Sequence, residues 1–266
     1  MTDGVIGGRR TRGALARAAA VLVSAAALTG ALGCERAGAR DGSPGGGRAA
    51  AGPAAGAAGE NDTPETGAGR TSARRPRVVF LGTSLTAGLG VEPDSAYPAV
   101  IGRMADSAGT PITVVNAGQS GETSAGALRR VDWVLREPAD ILVLETGAND
   151  GLRGQSPDSL RANLEAIVRR ARARQPGLPI LLLRMEALPN LGAGYTVRFR
   201  RAYDEVARSG AVTLGPFLLE GVAGVPTLNQ PDGVHPNPEG ARRAAATVWP
   251  ALRPLVVRAA ADAASA

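Results

Sequence analysis

From Arg77 onward the chain repeats one pattern, a short run of β-branched or aliphatic residues followed by a stretch long enough for a helix. That alternation restricts the fold more than any other feature, because parallel strands need crossover connections and helices fill them. Five strands are predicted, over residues 78–81, 112–116, 141–145, 180–184 and 211–214, each apolar nearly throughout, as strands covered on both faces must be. Helices are predicted over 97–108, 124–136, 158–174, 196–208 and 238–260. In the third, Leu160, Leu164, Ile167 and Val168 share one face, while Arg161, Glu165, Arg169 and Arg172 share the other. Ser156 and Pro157 supply its N-cap and a proline at N1. Right-handed crossovers then make an α/β fold, a three-layer α/β/α sandwich on a five-stranded parallel sheet, in one domain over residues 76–266.

Residues 1–75 follow different rules. Arg9, Arg10, Arg12 and Arg17 precede a run of small apolar residues over 18–32 that ends in Ala31-Leu32-Gly33-Cys34, the layout of an export signal. Ser24, Thr29 and Gly30 interrupt the run, and Glu35 and Arg36 follow it at once. It falls short of the roughly 20 apolar residues of a membrane-spanning helix, so cleavage is expected. The Arg9-Arg10 pair lacks the hydrophobic residues that a twin-arginine signal carries directly after it. A lone Cys after Leu-Gly resembles the lipobox of bacterial lipoproteins, which implies lipid on Cys34 and a membrane anchor at the cell envelope, periplasmic or at the cell surface. Ala31 and Leu32 stand in the reverse of the usual order, and a secreted protein or an uncleaved anchor would fit the same residues. Residues 35–75, rich in Gly, Ala, Pro, Ser and Thr without apolar periodicity, are expected to be a disordered tether.

Charge and residue counts exclude several functions. All 30 basic residues are Arg, ten against six acids in residues 1–75 and twenty against eighteen in the rest, so the domain is nearly balanced. With 3% aromatic residues there is no basic stacking face for nucleic acid. A single Cys and a single His leave no disulfide framework and no thiolate or His-Glu-x-x-His metal site, and a chain without Lys has no P-loop. No metal or organic cofactor is implied. Chemistry must use hydroxyls, carboxylates, amides and His235.

In open α/β sheets, ligands bind beyond the carboxyl ends of the strands. Three predicted strands deliver polar loops there, namely Gly82-Thr83-Ser84-Leu85-Thr86-Ala87-Gly88, Asn116-Ala117-Gly118-Gln119-Ser120-Gly121 and Gly147-Ala148-Asn149-Asp150. Asp232-Gly233-Val234-His235-Pro236-Asn237 precedes the last helix. A serine in such a loop is ordinarily a turn former, and it becomes a nucleophile only beside a base, here His235. Asp232 lies three residues before that His, close enough for its carboxylate to orient the imidazole.

In these four blocks the sequence resembles the SGNH or GDSL hydrolase superfamily over residues 76–256, nearest its arylesterase, acyl-CoA thioesterase and lysophospholipase branch. The resemblance implies a flavodoxin-like sandwich and hydrolysis of carboxylic esters or thioesters through an acyl-Ser84 intermediate. Ser84, Asp232 and His235 would form the triad, with an oxyanion hole of the Ser84 and Gly118 N–H groups and the Asn149 amide. The family's Gly-Asp-Ser-Leu is Gly82-Thr83-Ser84-Leu85 here, which changes the hydrogen bonding that braces this turn. Asp150 is expected to brace its own loop. Leu188, Leu191 and Tyr195, following the fourth strand, are candidates to line a groove for a small-molecule acyl ester or lipid. The alternatives are a carbohydrate or peptidoglycan O-acetylesterase on the same fold and a noncatalytic envelope lipoprotein.

Overall fold

The five predicted strands form one parallel sheet. In the computed structural model, which describes residues 74–265, they are β1 (Arg77–Gly82), β2 (Thr113–Gly118), β3 (Ile141–Leu144), β4 (Ile180–Arg184) and β5 (Thr213–Phe217), in the order β2-β1-β3-β4-β5. The expected export signal, Cys34 and all but the last two residues of the expected tether lie outside the described residues. Arg74 forks onto the Asp140 carboxylate at 2.8 and 2.7 Å. The helices are α1 (Ser84–Ala87), α2 (Tyr97–Ser107), α3 (Ser124–Val134), α4 (Ala148–Leu152), α5 (Pro157–Arg174), α6 (Ala193–Gly210) and α7 (Pro238–Ser265). α2 packs with α7 on one side of the sheet and α5 with α3 and α6 on the other, giving the three layers.

The side chains of β1 and β3 are buried from Val78 to Leu81 and from Ile141 to Leu144, so their unbroken apolar runs meet a helical layer on either face. Each such Leu, Ile or Val contributes about 1.5–3 kcal/mol by leaving water. At the sheet edges, burial on both faces fails: Thr113 and Asn116 of β2 and Thr213 of β5 are exposed. β5 also starts later than predicted, because Ala211 ends α6 in the left-handed conformation (φ 47°), and the strand extends to Phe217. The predicted N-cap of α5 is present, Ser156 accepting from the Asp158 N–H at 3.3 Å. α7 continues through Pro250 and Pro254, both exposed, where water can satisfy the carbonyls that lose their donors. No described helix is long and apolar enough to cross a membrane.

Chain connections leave β1 toward β2 and return to β3 on its other side, so strand order reverses at β1. The carboxyl ends of β1 and β3 therefore open onto a crevice.

Candidate active site

β1 runs directly into α1, and Ser84 is the first residue of that helix. Thr83 caps it, its hydroxyl accepting from the Leu85 N–H at 3.4 Å, and Gly88 closes it in the left-handed conformation. At the first helical position the Ser84 N–H has no intrahelical partner, and among the described residues it donates to nothing, so it can face a ligand.

The base comes from the loop before α7. Asp232 Oδ1 accepts from the N–H groups of Val234 (2.9 Å) and His235 (3.0 Å), which folds the tight turn, while Oδ2 lies 2.7 Å from His235 Nδ1. His235 Nε2 then sits 2.9 Å from Ser84 Oγ, a contact closed across 151 positions of sequence. Partial burial works against ionisation of Asp232, but the two backbone N–H groups and the imidazole outweigh it and hold the carboxyl at about 2. Gln230 fixes the loop against the nucleophile turn: its amide donates to Leu89 O (2.7 Å) and Pro236 O (2.9 Å). Sequence reasoning gave this residue no role.

Asn149 stands in α4 with its amide donating to Glu122 O at 2.9 Å, which leaves a second amide hydrogen for the crevice it lines with Ser84. Gly118 does not join them. It ends β2 packed on the backbone of α1, where an added Cβ would lie 2.1 Å from Ala87 N, and its N–H already donates to Asn116 Oδ1 at 2.9 Å. The glycine that lines the crevice beside Ser84 and Asn149 is Gly121, at φ +76° and without a hydrogen bond on its N–H among the described residues. Arg153 holds this loop by donating to Gly121 O at 3.0 Å. The pair of buried Glu122 and half-buried Arg130 holds it from below, with the same guanidinium donating to Gly82 O at 3.1 Å, so one side chain ties the glycine loop to the nucleophile turn.

Asp150 braces a neighbouring element instead of its own loop. Its carboxylate accepts from the N–H (2.8 Å) and hydroxyl (2.5 Å) of Ser124 and anchors the start of α3, because α4 turns the side chain inward under that helix. Where the family motif has Asp, the Thr83 N–H donates to the fully buried Glu145 at 2.8 Å. Burial pushes the Glu145 carboxyl up to about 7, against the opposing pull of the N–H and hydroxyl donors of Thr83 and Thr86. A lone carboxylate ending an aliphatic strand was the available signal for this residue, since a buried charge requires partners.

A groove of about 980 Å³ opens beside Ser84 and His235, with Leu85, Leu89, Leu152, Met185, Leu188 and Phe217 among its walls. Leu188 thus lies where the sequence placed it. Leu191 and Tyr195 do not line the groove: Leu191 packs on the core, and Tyr195 stacks on Phe199 and donates to Gln155 O at 2.6 Å. Both belong to the turn and first residues of α6, which direct them away from the crevice. No cluster of three or more His, Cys, Asp or Glu able to hold a metal occurs among the described residues.

A hydroxyl, an imidazole and a carboxylate in hydrogen-bonded series can run nucleophilic acyl transfer, with backbone and amide donors facing the developing oxyanion. Known proteins agree with that chemistry. Residues 80–243 match the model of the GDSL-like lipase/acylhydrolase family. Esterase TesA of Pseudomonas aeruginosa is 40% identical over 181 residues, 67% of this chain and 89% of that protein. Thioesterase 1/protease 1/lysophospholipase L1 of Escherichia coli is 34% identical over 67% of this chain and 84% of its own length. The crystal structure of the psychrotrophic esterase EstA from Pseudoalteromonas sp., inhibited by monoethylphosphonate, superposes with a TM-score of 0.64 at 28% identity, covering 68% of this chain and 99% of that one. The chain belongs to the GDSL-like lipase/acylhydrolase family and is an ester hydrolase.

Proposed function

We propose that Ser84 carries the acyl group in a two-step hydrolysis of carboxylic esters with apolar acyl or aryl parts. Ser84 Oγ attacks the ester carbonyl as its proton passes to His235 Nε2. The oxyanion so formed is received by the N–H groups of Ser84 and Gly121 and by the Asn149 amide. Collapse expels the alcohol with the proton from His235 and leaves acyl-Ser84. Water then attacks this intermediate, giving its proton to His235, and a second collapse releases the acid and returns the proton to Ser84. Asp232 holds the imidazole with Nδ1 protonated and Nε2 free to accept.

The observation that carries this reading is the Asp232–His235–Ser84 series, at 2.7 and 2.9 Å, opening onto a groove with apolar walls. Such a groove favours chains longer than acetyl and speaks against an O-acetylesterase, which would need a short polar acyl pocket. A noncatalytic binder would have no use for the hydrogen-bonded series. The test is a panel of p-nitrophenyl esters from acetyl to palmitoyl, run beside a lysophospholipid and a thioester. We expect kcat/KM to rise from acetyl into the medium chain lengths; a maximum at acetyl would return the O-acetylesterase reading.

Asn149→Ala is expected to lower kcat by roughly 10²–10³ with KM little changed, because the amide acts mainly on the transition state. Steady-state kinetics on the best panel ester reads this out, and an unchanged kcat would remove Asn149 from the oxyanion hole.

From the sequence alone we further propose that the enzyme is exported to the cell envelope and anchored through lipid on Cys34. Cys34→Ser should release it from membranes into the soluble fraction while leaving ester turnover unchanged. Retention in the membrane pellet would favour an uncleaved anchor.

A further inference from the structure

The nucleophile turn is held from beneath by a residue outside the triad and the oxyanion hole. Glu145 follows β3, and its side chain is fully buried under residues 82–86. Its Oε2 accepts from the Thr83 N–H at 2.8 Å, the Thr83 hydroxyl at 3.0 Å and the Thr86 hydroxyl at 2.8 Å. The Tyr97 hydroxyl lies 3.0 Å from Thr86 Oγ1, so with the Thr86 proton committed to Glu145, Tyr97 donates in turn. Every hydrogen in the chain points toward the carboxylate. The approach depends on Gly82, since a Cβ there would meet Glu145 Oε2 at 2.6 Å and Thr86 Oγ1 at 2.0 Å.

We propose that Glu145 is the positioning residue of the nucleophile: by gathering the donors on either side of Ser84 it sets the direction in which Oγ meets His235. The proposal rests on Ser84 being the nucleophile. Two of the three donors belong to Thr83, the residue directly before Ser84, so a shift of the carboxylate moves the serine backbone itself. Misplacement of a reacting group by about 1 Å costs on the order of 10²-fold in rate.

The carboxylate form accepts from all these donors at once, whereas a protonated Glu145 must turn one oxygen into a donor among donors. Its surroundings make this protonation relevant near neutral pH. The titratable side chains around it are Tyr97 of α2 and Tyr203 of α6, both raised by burial, and the Glu122–Arg130 pair, whose guanidinium stops at the Gly82 carbonyl. With burial holding its folded value at about 7, above the ordinary 4.5, Glu145 contributes stability that is present below 4.5 and lost as pH rises through about 7. The anion that aligns Ser84 is therefore formed at the expense of the fold, a conflict found where a site is strained for activity.

The test compares the full-length wild type with Glu145→Gln and Glu145→Ala, measuring kcat and KM against pH, thermal midpoints, and the rate at which a fluorophosphonate labels the protein, with the label located by mass spectrometry. Glu145→Ala should lose roughly 10²-fold in kcat with KM within about twofold. Glu145→Gln keeps an acceptor for the Thr83 N–H and should recover most of that loss at pH 8. Its kcat should fall on acidification with one ionisation where the wild type falls with two, and its thermal midpoint should lose the wild type's decline toward pH 7. A folded Glu145→Ala that labels and turns over at wild-type rates overturns the proposal. If Glu145→Ala does not fold, an acid limb in Glu145→Gln as steep as the wild type's overturns it instead. Label on a residue other than Ser84 in the wild type would instead defeat the assignment of the nucleophile, a separate outcome.

Discussion

Ser84→Ala should lose on the order of 10⁶-fold in kcat, the scale reached when a nucleophile that works only as part of a unit is removed. The expected signature is complete: no burst of alcohol before steady state, no acyl-enzyme mass on quenching, and no fluorophosphonate label. The fold should survive, because the Ser84 hydroxyl has His235 as its hydrogen-bond partner and takes no part in the buried network of Thr83, Thr86 and Glu145. His235→Ala should cost nearly as much, since the chain has one His and nothing else can take the proton at that place. The Ser84→Ala/His235→Ala double variant should be little worse than either single one. If the two losses multiplied, Ser84 and His235 would be acting independently, and the hydrogen bond between them would not be the catalytic one.

Legibility of this molecule in its sequence followed the physics of each part. Strands β1, β3 and β4 were readable because burial on both faces demands an unbroken aliphatic run. The ends of β2 and β5 were not, because an edge strand tolerates Thr113, Asn116 and Thr213 at exposed positions, and only the left-handed Ala211 marks where β5 cannot yet begin. α1 and α4 span four and five residues and carry no periodicity; caps and tertiary contacts hold them, which sequence patterns do not display.

The same division runs through the site. Ser84, Asn149, Asp232 and His235 stand where strand ends and a tight Asp-x-x-His turn had to put them. Gly118 and Gly121 are indistinguishable by spacing. What separates them is a hydrogen bond to Asn116 on one and, on the other, a positive φ with an N–H that has no partner among the described residues. Leu188 and Leu191 likewise read alike until the turn at Pro189–Leu191 sends one into the groove and the other onto the core. Gln230 and Arg130 act on Leu89 and Gly82, 141 and 48 positions away, so nothing local in the sequence announces those contacts, and Glu145 shows only as a carboxylate ending an aliphatic strand, with its partners some way off at Thr83 and Thr86.

Asp232→Asn is expected to lower kcat by up to about 10⁴ while leaving KM and the fold nearly intact. The amide is isosteric, and its oxygen can still accept from the Val234 and His235 N–H groups that form the turn. Its NH₂ then faces His235 Nδ1 and donates to it, which forces the ring proton onto Nε2. That tautomer presents a donor to Ser84 Oγ and cannot accept its proton, so attack is blocked though every atom is in place. In the wild type the carboxyl, held at about 2, stays ionised across the working range, and protonation of Asp232 does not shape the activity profile near neutrality. A carboxyl depressed below its usual 3.8 contributes stability above that value, lost as pH falls through about 2. Asp232→Asn should therefore melt below the wild type at pH 7, and this difference should close toward pH 2. Because Asp232 is 47% exposed, solvent screening keeps that difference small, and the kinetic loss should far exceed it. An Asp232→Asn enzyme with wild-type kcat would mean that the imidazole keeps its tautomer without the carboxylate, and Asp232 would then be a turn residue only.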